Sequence, residues 1–591
     1  MMKYLIGVAF CTIFFRFTTI AQDEKDFNIW DPASSETAII EGQAWPDEVK
    51  DRYDRFPARA ETMVDKNVWD LSKNSAGLII KFKSNATKIK ISYQVDGKLA
   101  FPHMPATGVS GLDLYGIDRD GKWFWCPGRY SFGDTITYSF SSLLSRHDTT
   151  GKEYEYRLYL PLYNTVKWMS IRYPKSQSLT ALPVRQEKPV VVYGTSIAQG
   201  GCASRTGSAW TAILERNLGR PLINLGFSGN GHLDPPVLQL ISEIDARIYI
   251  LDCLPNLIVQ KEYPDDTVTN RILYAVKFLQ SKRPGIPIIL SEHSAGGPGN
   301  GIDLDTNSVY EHANNLLRVA MKKMNAAGVK NIYLLSNKDI NFNMYSTVDG
   351  EHPTDIGMEQ NAVAFEKLIR KIINEPIGNT TGSIPTMQNR DYYYYWATRH
   401  QEILSYNKQH HPSVVFIGNS ITHMWGGEPL SSIANGTDSW DDLFKPRNTV
   451  NMGFGWDRTE NVLWRIYHDE LDGFEAKQIL MMIGTNNFGR DSINEIVKNI
   501  QLLFSAIHAR QPKAQLFTIG ILPRRGLEKK VVDINRLLAK AATTMHAKFI
   551  DPGKVLLNKK NEIDESLFND GLHPGAEGYR RLATELKKVV R

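Results

Sequence analysis

Two short motifs occur twice in this chain, in the same order. Gly194-Thr195-Ser196-Ile197 is followed about 150 positions later by Asp349-Gly350-Glu351-His352-Pro353. Gly418-Asn419-Ser420-Ile421 is followed at nearly the same interval by Asp570-Gly571-Leu572-His573-Pro574. Two more landmarks fall between them in each half. Asn224-Leu225-Gly226-Phe227 matches Asn451-Met452-Gly453-Phe454, and Asn256 and Asn486 each follow a strand-like apolar run. Four landmarks in one order at near-equal offsets indicate two copies of one domain. A solenoid is not indicated, because its units would run to roughly 20–50 residues.

The rest of the pattern surrounds these copies. Residues 24–180 carry short alternating apolar runs such as Lys88-Ile89-Lys90-Ile91-Ser92-Tyr93, with Asp96-Gly97 and Asp120-Gly121 as hairpin signals. This predicts an all-β sandwich or jelly roll. From Lys188 strand-like runs alternate with helical ones. Val190-Val191-Val192-Tyr193 opens a first α/β domain over 186–375, with helices near 236–244, 308–327 and 355–373. Residues 376–389, rich in Gly, Pro, Ser and Thr, read as a linker. A second α/β domain over 390–591 begins with a helix near 392–409 and ends with one near 576–590. Strands alternating with helices predict parallel sheets covered on both faces.

A chain of 591 residues accommodates about three or four domains, and 42% hydrophobic with 23% charged residues is ordinary for globular proteins. Residues 1–21 read as a secretory signal. Lys3 supplies the charge, residues 5–15 are apolar, and Thr19-Ile20-Ala21 offers a small-residue cleavage site. Arg16 interrupts the apolar run, which disfavours a membrane anchor, and Cys11 lacks a lipoprotein context. A secreted or periplasmic location is expected, with no membrane span after signal removal; outer-surface attachment and oligomeric state stay open. Losing Lys3 and Arg16 lowers the net charge from +5 to +3, and no basic run points to nucleic acid. Cys126, Cys202 and Cys253 remain. An odd number rules out a full disulfide framework, and Cys202 with Cys253 read as buried free thiols that come close together. Spacing of cysteines and histidines suggests no metal site, and no cofactor is expected.

Serine, aspartate and histidine in this order are the parts of a nucleophilic hydrolase. A serine hydroxyl is a weak nucleophile until a base takes its proton. His352 and His573 are the candidate bases for Ser196 and Ser420, with Asp349 and Asp570 orienting them. Charge developing on a tetrahedral intermediate needs fixed donors, for which Asn256 and Asn486 are the side-chain candidates.

These motifs resemble the SGNH/GDSL hydrolase superfamily, whose four blocks supply Ser, Gly, Asn and an Asp-x-x-His pair. Gly111-Leu112-Asp113-Leu114-Tyr115 resembles the Gly-x-Asp-Leu-Tyr motif of an N-terminal β domain found in one branch. The resemblance implies an α/β fold class: two three-layer αβα domains with central parallel sheets, preceded by the β domain. It implies Gly229 as the oxyanion glycine of the first copy. The corresponding position of the second copy is Trp456, where a backbone N–H remains and the ring could wall a sugar site or narrow the pocket. It also implies ester hydrolysis. Removal of O-acetyl groups from an acetylated polysaccharide is the leading expectation. A lipid or general short-acyl esterase and a glycan-binding protein with inactive sites are the alternatives. Trp123, Phe124 and Trp125 read as core or interface aromatics rather than a sugar platform.

Overall fold

The computed structural model describes residues 26–143, 153–258, 263–295, 303–390 and 393–591. The signal segment 1–21 and Cys11 lie outside them. The chain divides into two compact units. One holds the β region and the first α/β domain; the other holds the second α/β domain.

The β region is a sandwich of two antiparallel sheets. One runs Phe27–Trp30, Val166–Pro174, Lys88–Val95, Ile136–Ser141, Arg129–Ser131. The other runs Leu179–Ala181, Ile79–Ser84, Tyr154–Tyr159, Asp113–Ile117, Trp123–Cys126, with Ile40–Glu41 also on Ile79–Ser84. Alternation sets the inward face: Ile89, Ile91 and Tyr93 are buried while Lys88 and Lys90 are exposed. Asp120-Gly121 turns the hairpin that pairs Ile117 with Trp123. Asp96-Gly97 does not turn a hairpin, contrary to its signal. The next strand belongs to the opposite sheet, and the Gly97 N–H instead donates to Asn164 Oδ1 at 2.6 Å.

The segment between Glu41 and Ile79 leaves the sandwich. Trp45, Phe56, Ala60, Val68 and Trp69 join one hydrophobic core with Tyr193, Leu225 and Phe227 of the first α/β domain. A buried charge network crosses the same boundary. Glu215, on the helix Trp210–Leu218, accepts from Arg157 at 2.8 Å, Arg185 at 2.5 Å and the Tyr159 hydroxyl at 2.6 Å. Arg185 also pairs with Glu41, which Lys81 meets at 2.7 Å. Burial would raise the Glu41 pKa, but Arg185 and Lys81 outweigh it and hold the carboxyl well below its usual range.

Each α/β domain is built on a five-stranded parallel sheet with the second strand outermost beside the first. The first sheet runs Leu222–Gly226, Val190–Gly194, Ile248–Asp252, Ile288–Ser291, Ile332–Leu335. The second runs Thr449–Gly453, Val414–Gly418, Gln478–Met482, Gln515–Ile519, Ala547–Ile550. Successive residues enter opposite layers: Val415 and Ile417 pack in one core, Val414 and Phe416 in the other. That is the three-layer αβα arrangement. The strand at 288–291 begins just after Pro287, which lacks the N–H a central strand needs. The opening helix of the second domain is Trp396–His410, and the last helix stops at Leu586 rather than 590. Residues 376–389 are not a loose tether. Thr380 Oγ1 donates to Asn499, and the buried Gln388 amide donates to Gly455 O at 2.9 Å and Asp457 Oδ1 at 3.0 Å. Among the described residues no helix is long and apolar enough to cross a membrane.

Removing Glu215 takes one carboxylate from each of two buried guanidinium groups, leaving Arg157 with Glu155 and Arg185 with Glu41. Glu215→Ala is expected to destabilise its unit by about 3–5 kcal/mol. Glu577→Ala, on the exposed face of the last helix, should leave stability unchanged. Chemical denaturation of the two variants checks both expectations.

Candidate active sites

The register of the parallel sheets brings three strand ends level. Gly194 pairs with Gly226 on one side and Asp252 on the other. Gly418 pairs with Gly453 and Met482 in the same way. Segments leaving these ends therefore converge at the point where strand order reverses, the usual ligand crevice of an open α/β sheet. Ser196 and Ser420 each begin a four-residue helix directly after the central of these strands. Thr195 and Asn419 cap these helices, their side chains accepting the N–H of Ile197 at 3.3 Å and Ile421 at 3.0 Å.

Both Asp-Gly-x-His-Pro motifs fold into the same turn. Gly350 has φ 91° and Gly571 has φ 81°, a left-handed conformation that favours glycine. The turn lets one aspartate oxygen accept two backbone N–H groups. Asp349 Oδ1 takes those of Glu351 at 3.0 Å and His352 at 2.8 Å. Asp570 Oδ1 takes those of Leu572 at 2.9 Å and His573 at 2.8 Å. The other oxygen meets the imidazole: Asp349 Oδ2 lies 2.8 Å from His352 Nδ1, and Asp570 Oδ2 lies 2.7 Å from His573 Nδ1. The far imidazole nitrogens complete the chains. His352 Nε2 is 2.8 Å from Ser196 Oγ, and His573 Nε2 is 2.8 Å from Ser420 Oγ. Burial pushes the Asp349 and Asp570 pKa values up, but the backbone N–H donors and the paired imidazole outweigh it and hold both carboxyls below their ordinary range. With the Nδ1–H held by the carboxylate, Nε2 is free to accept the serine proton.

The oxyanion candidates lie on the neighbouring strand ends. Asn256 Oδ1 accepts the Gly231 N–H at 3.0 Å. Asn486 lines one cavity of about 340 Å³ with Ser420, His573, Trp456 and Tyr393. Its amide donates one hydrogen to Asp457 O at 3.0 Å. Gly229 has φ 68° and Trp456 has φ 63°, so the tryptophan adopts the glycine-type backbone. A Cβ at Gly229 would meet nothing within 4 Å, which explains how a side chain is accommodated at this point of the loop. The loop around Trp456 is held at each step. Gly455 O accepts from Gln388 and from the Tyr394 hydroxyl, both at 2.9 Å. Trp456 O accepts from Arg390 at 3.0 Å. A strained residue persists when its surroundings over-determine it, and these bonds do so.

Several supports of the two sites stand outside the repeated motifs. The residue three after each serine accepts the N–H that precedes the oxyanion position: Gln199 Oε1 takes Ser228 N–H at 3.0 Å, and His423 Nδ1 takes Gly455 N–H at 3.3 Å. Burial, with Arg399 and Arg465 nearby, drives the His423 pKa down to about 2, so it stays a neutral acceptor. Tyr163 of the β region donates its hydroxyl to Ser196 O at 3.1 Å. Asp113 of the Gly-x-Asp-Leu-Tyr motif accepts from Gly207 N–H at 2.9 Å, Arg205 at 2.8 Å and Trp125 Nε1 at 2.9 Å. Arg205 lies over the Trp125 ring at 4.5 Å, which makes that tryptophan part of the domain junction, while Arg157 of the β region itself lies over the Trp123 ring at 4.6 Å. All three described cysteines are free and buried. They do not share surroundings: Cys253 Sγ faces Tyr193 O at 3.5 Å, while Cys202 sits by Asp349 and His352. Among the described residues that last trio alone groups possible metal ligands, within 4.8 Å of one another. Two of its members are already committed to the hydrogen-bond chain of Ser196.

The Trp456 ring is 52% exposed, so it contributes little to the core. Trp456→Gly relieves a left-handed non-glycine residue and is expected to leave stability unchanged or raise it by about 1 kcal/mol. Thermal unfolding of the two proteins checks the sign; a clear loss of stability would contradict it.

Comparison with known proteins agrees with this architecture. Models of the GDSL-like lipase/acylhydrolase family match residues 187–370 and 416–581, and a model for the N-terminus of SGNH-hydrolase-type esterases matches 27–179. A solved Bacteroides ovatus structure, described as a GDSL-like lipase, is 29% identical with TM-score 0.52, covering 59% of this chain and 98% of its own. Human platelet-activating factor acetylhydrolase IB subunit alpha1 is 29% identical over 201 residues, 33% of this chain and 82% of that protein. The bovine alpha2 subunit is 26% identical over 200 residues, with 33% and 83% covered. The chain belongs to the GDSL-like lipase/acylhydrolase family and carries two of its esterase domains behind an SGNH-type N-terminal β domain.

Proposed function

We propose that this protein is an exported serine esterase with two catalytic sites that removes O-acetyl groups from a polysaccharide. The observation that carries the esterase chemistry is the pair of unbroken Ser–His–Asp hydrogen-bond chains, every link 2.7 or 2.8 Å long. In each site the serine Oγ attacks the ester carbonyl carbon while its proton passes to histidine Nε2. The carbonyl oxygen becomes an anion, which the N–H of Gly229 or Trp456 and the amide of Asn256 or Asn486 stabilise. Collapse breaks the bond to the alcohol oxygen, which leaves with the proton from Nε2. An acetyl-serine remains. Water then attacks it, again giving a proton to Nε2, and acetate leaves as the serine recovers its proton.

Two features support a small acyl group on a sugar. The second site is a cavity of only about 340 Å³. Tyr393 and Trp456 line it and are 50% and 52% exposed, as rings that stack on sugar faces would be. The curated relatives are named acetylhydrolases, which agrees with acetyl as the acyl group. Their named substrate, platelet-activating factor, favours a second reading, a short-acyl lipid esterase. The apolar run and small-residue site of residues 1–21 support export.

Acetate release from a panel of acetylated glycans tests the proposal. Ser196→Ala and Ser420→Ala should each remove one component of the activity, and the double variant should lose at least about a thousandfold. Cleavage of acetylated lipids with no acetate from any glycan would replace it with the second reading. Failure of a fluorophosphonate to label either serine would leave a binding protein.

Protonation of the imidazole removes the base, so each single-site variant should lose rate as pH falls. Because Asp349 and Asp570 are held below the ordinary carboxylate range, they stay ionised where an ordinary carboxylate begins to take a proton. One acid limb, with no second limb above about pH 4, is therefore expected in each pH–rate profile.

A further inference from the structure

We infer that Arg55 and Arg399 are positioning residues that set the oxyanion donor of each site, and that the N-terminal β region is thereby part of the first active site. The inference rests on the esterase reading above. It comes from a pair of buried cations that the triads do not use.

Both guanidinium groups bind the same two carbonyls of the repeated Asn-x-Gly-Phe motif. Arg55 Nη1 donates to Asn224 O at 3.0 Å and Gly226 O at 2.8 Å. Arg399 donates from Nη2 to Asn451 O at 3.0 Å and from Nε to Gly453 O at 2.8 Å. Each also lies over the following phenylalanine, at 4.9 Å from the Phe227 ring and 5.2 Å from the Phe454 ring. The remaining bonds go to other backbone carbonyls: Asn74 at 2.8 Å and Leu71 at 2.7 Å for Arg55, Pro429 at 2.8 Å for Arg399. No carboxylate pairs with either group among the described residues. Both are buried, and burial pushes Arg55 down to about 9 and Arg399 to about 10.

A buried cation without a counter-ion is expensive, and an apolar side chain would fill the space more cheaply. Its presence twice needs a reason tied to what the two sites share. The shared element is the strand end. Gly229 and Trp456 each come three residues after the clamped glycine. Fixing the Asn and Gly carbonyls fixes where the chain turns, and so where the oxyanion N–H points. A misplacement of about 1 Å in such a group costs on the order of a hundredfold in rate.

The two arginines reach this point from unrelated backbone. Arg399 lies on the helix Trp396–His410, within its own hydrolase domain. Arg55 comes from the segment that leaves the β sandwich and packs Phe56 and Trp69 into the hydrolase core. Among the described residues the first hydrolase domain has no equivalent helix directly before its nucleophile strand; the strand Leu179–Ala181 of the sandwich precedes it instead. Two different sources delivering one group to the same carbonyls indicate that the clamp, not the element carrying it, is what the reaction requires.

Full-length variants decide the matter. Arg55→Met and Arg55→Lys are made in the Ser420→Ala protein, and Arg399→Met and Arg399→Lys in the Ser196→Ala protein. Hydrolysis of p-nitrophenyl acetate is measured per serine titrated by the acyl burst, so that misfolded protein is not counted. The expected result is a fall in kcat of about 10- to 100-fold in the Met variants, with KM within about twofold and the acid limb of the pH–rate profile unmoved. The Lys variants, which keep a cation but not the forked donors, should fall between parent and Met. A kcat per titrated serine within about twofold of the parent overturns the inference. So does a loss confined to KM, or one wholly accounted for by fewer titratable sites. Failure of the esterase reading would show separately, as hydrolysis that survives in the Ser196→Ala, Ser420→Ala protein.

Discussion

Three adjacent parallel strands ending at the same level are what the rest of each α/β domain depends on. Ladder hydrogen bonds fix that level, pairing Gly194 with Gly226 and Asp252, and Gly418 with Gly453 and Met482. Side chains leaving those ends have nowhere to go but one crevice. A serine at the start of a short helix, a donor loop and an asparagine are brought together without any contact in sequence. The last partner arrives on a turn whose glycine allows one aspartate to hold its own loop with one oxygen and the imidazole with the other. The geometry of the site is thus backbone geometry, and the side chains only finish it.

The two copies solve the same problem with different material. The first borrows from the β region: Arg55 against the strand end, Tyr163 against Ser196 O, and Asp113 against the Gly207 N–H. The second uses its own helix and the connection before it, through Arg399, Gln388 and Arg390. That difference accounts for Trp456. A left-handed tryptophan costs on the order of 1–3 kcal/mol of backbone strain, so the carbonyls of Gly455 and Trp456 must be held from outside. The first copy has glycine there, so that position carries no such strain.

Much of this was legible in the residues because periodicity and motif order report local physics. Runs such as Val190–Tyr193 are buried strands, as their unbroken apolar character indicates. Ser196, Asp349 and His352, with Ser420, Asp570 and His573, stood out because each motif was repeated. Where a local signal needed a distant partner it failed. Asp96-Gly97 has hairpin residues but no strand to turn toward. Residues 376–389 have linker composition, yet Gln388 is buried against the second site. Cys202 and Cys253 flank the same motifs but face different neighbours.

By itself the sequence determined the duplication, the alternation of strands and helices, and which residue types stand ready for nucleophilic chemistry. These follow from spacing and hydrophobic pattern, which a chain carries before it folds. Only the tertiary structure decided what supports those residues. Arg55 and Arg399 share no motif and no position relative to their serines, and nothing about either in the sequence points to the other. They become equivalent because two unrelated segments bury a guanidinium against the same pair of carbonyls. A buried cation is fixed by the sum of its surroundings, and that sum exists only once the chain has closed around it.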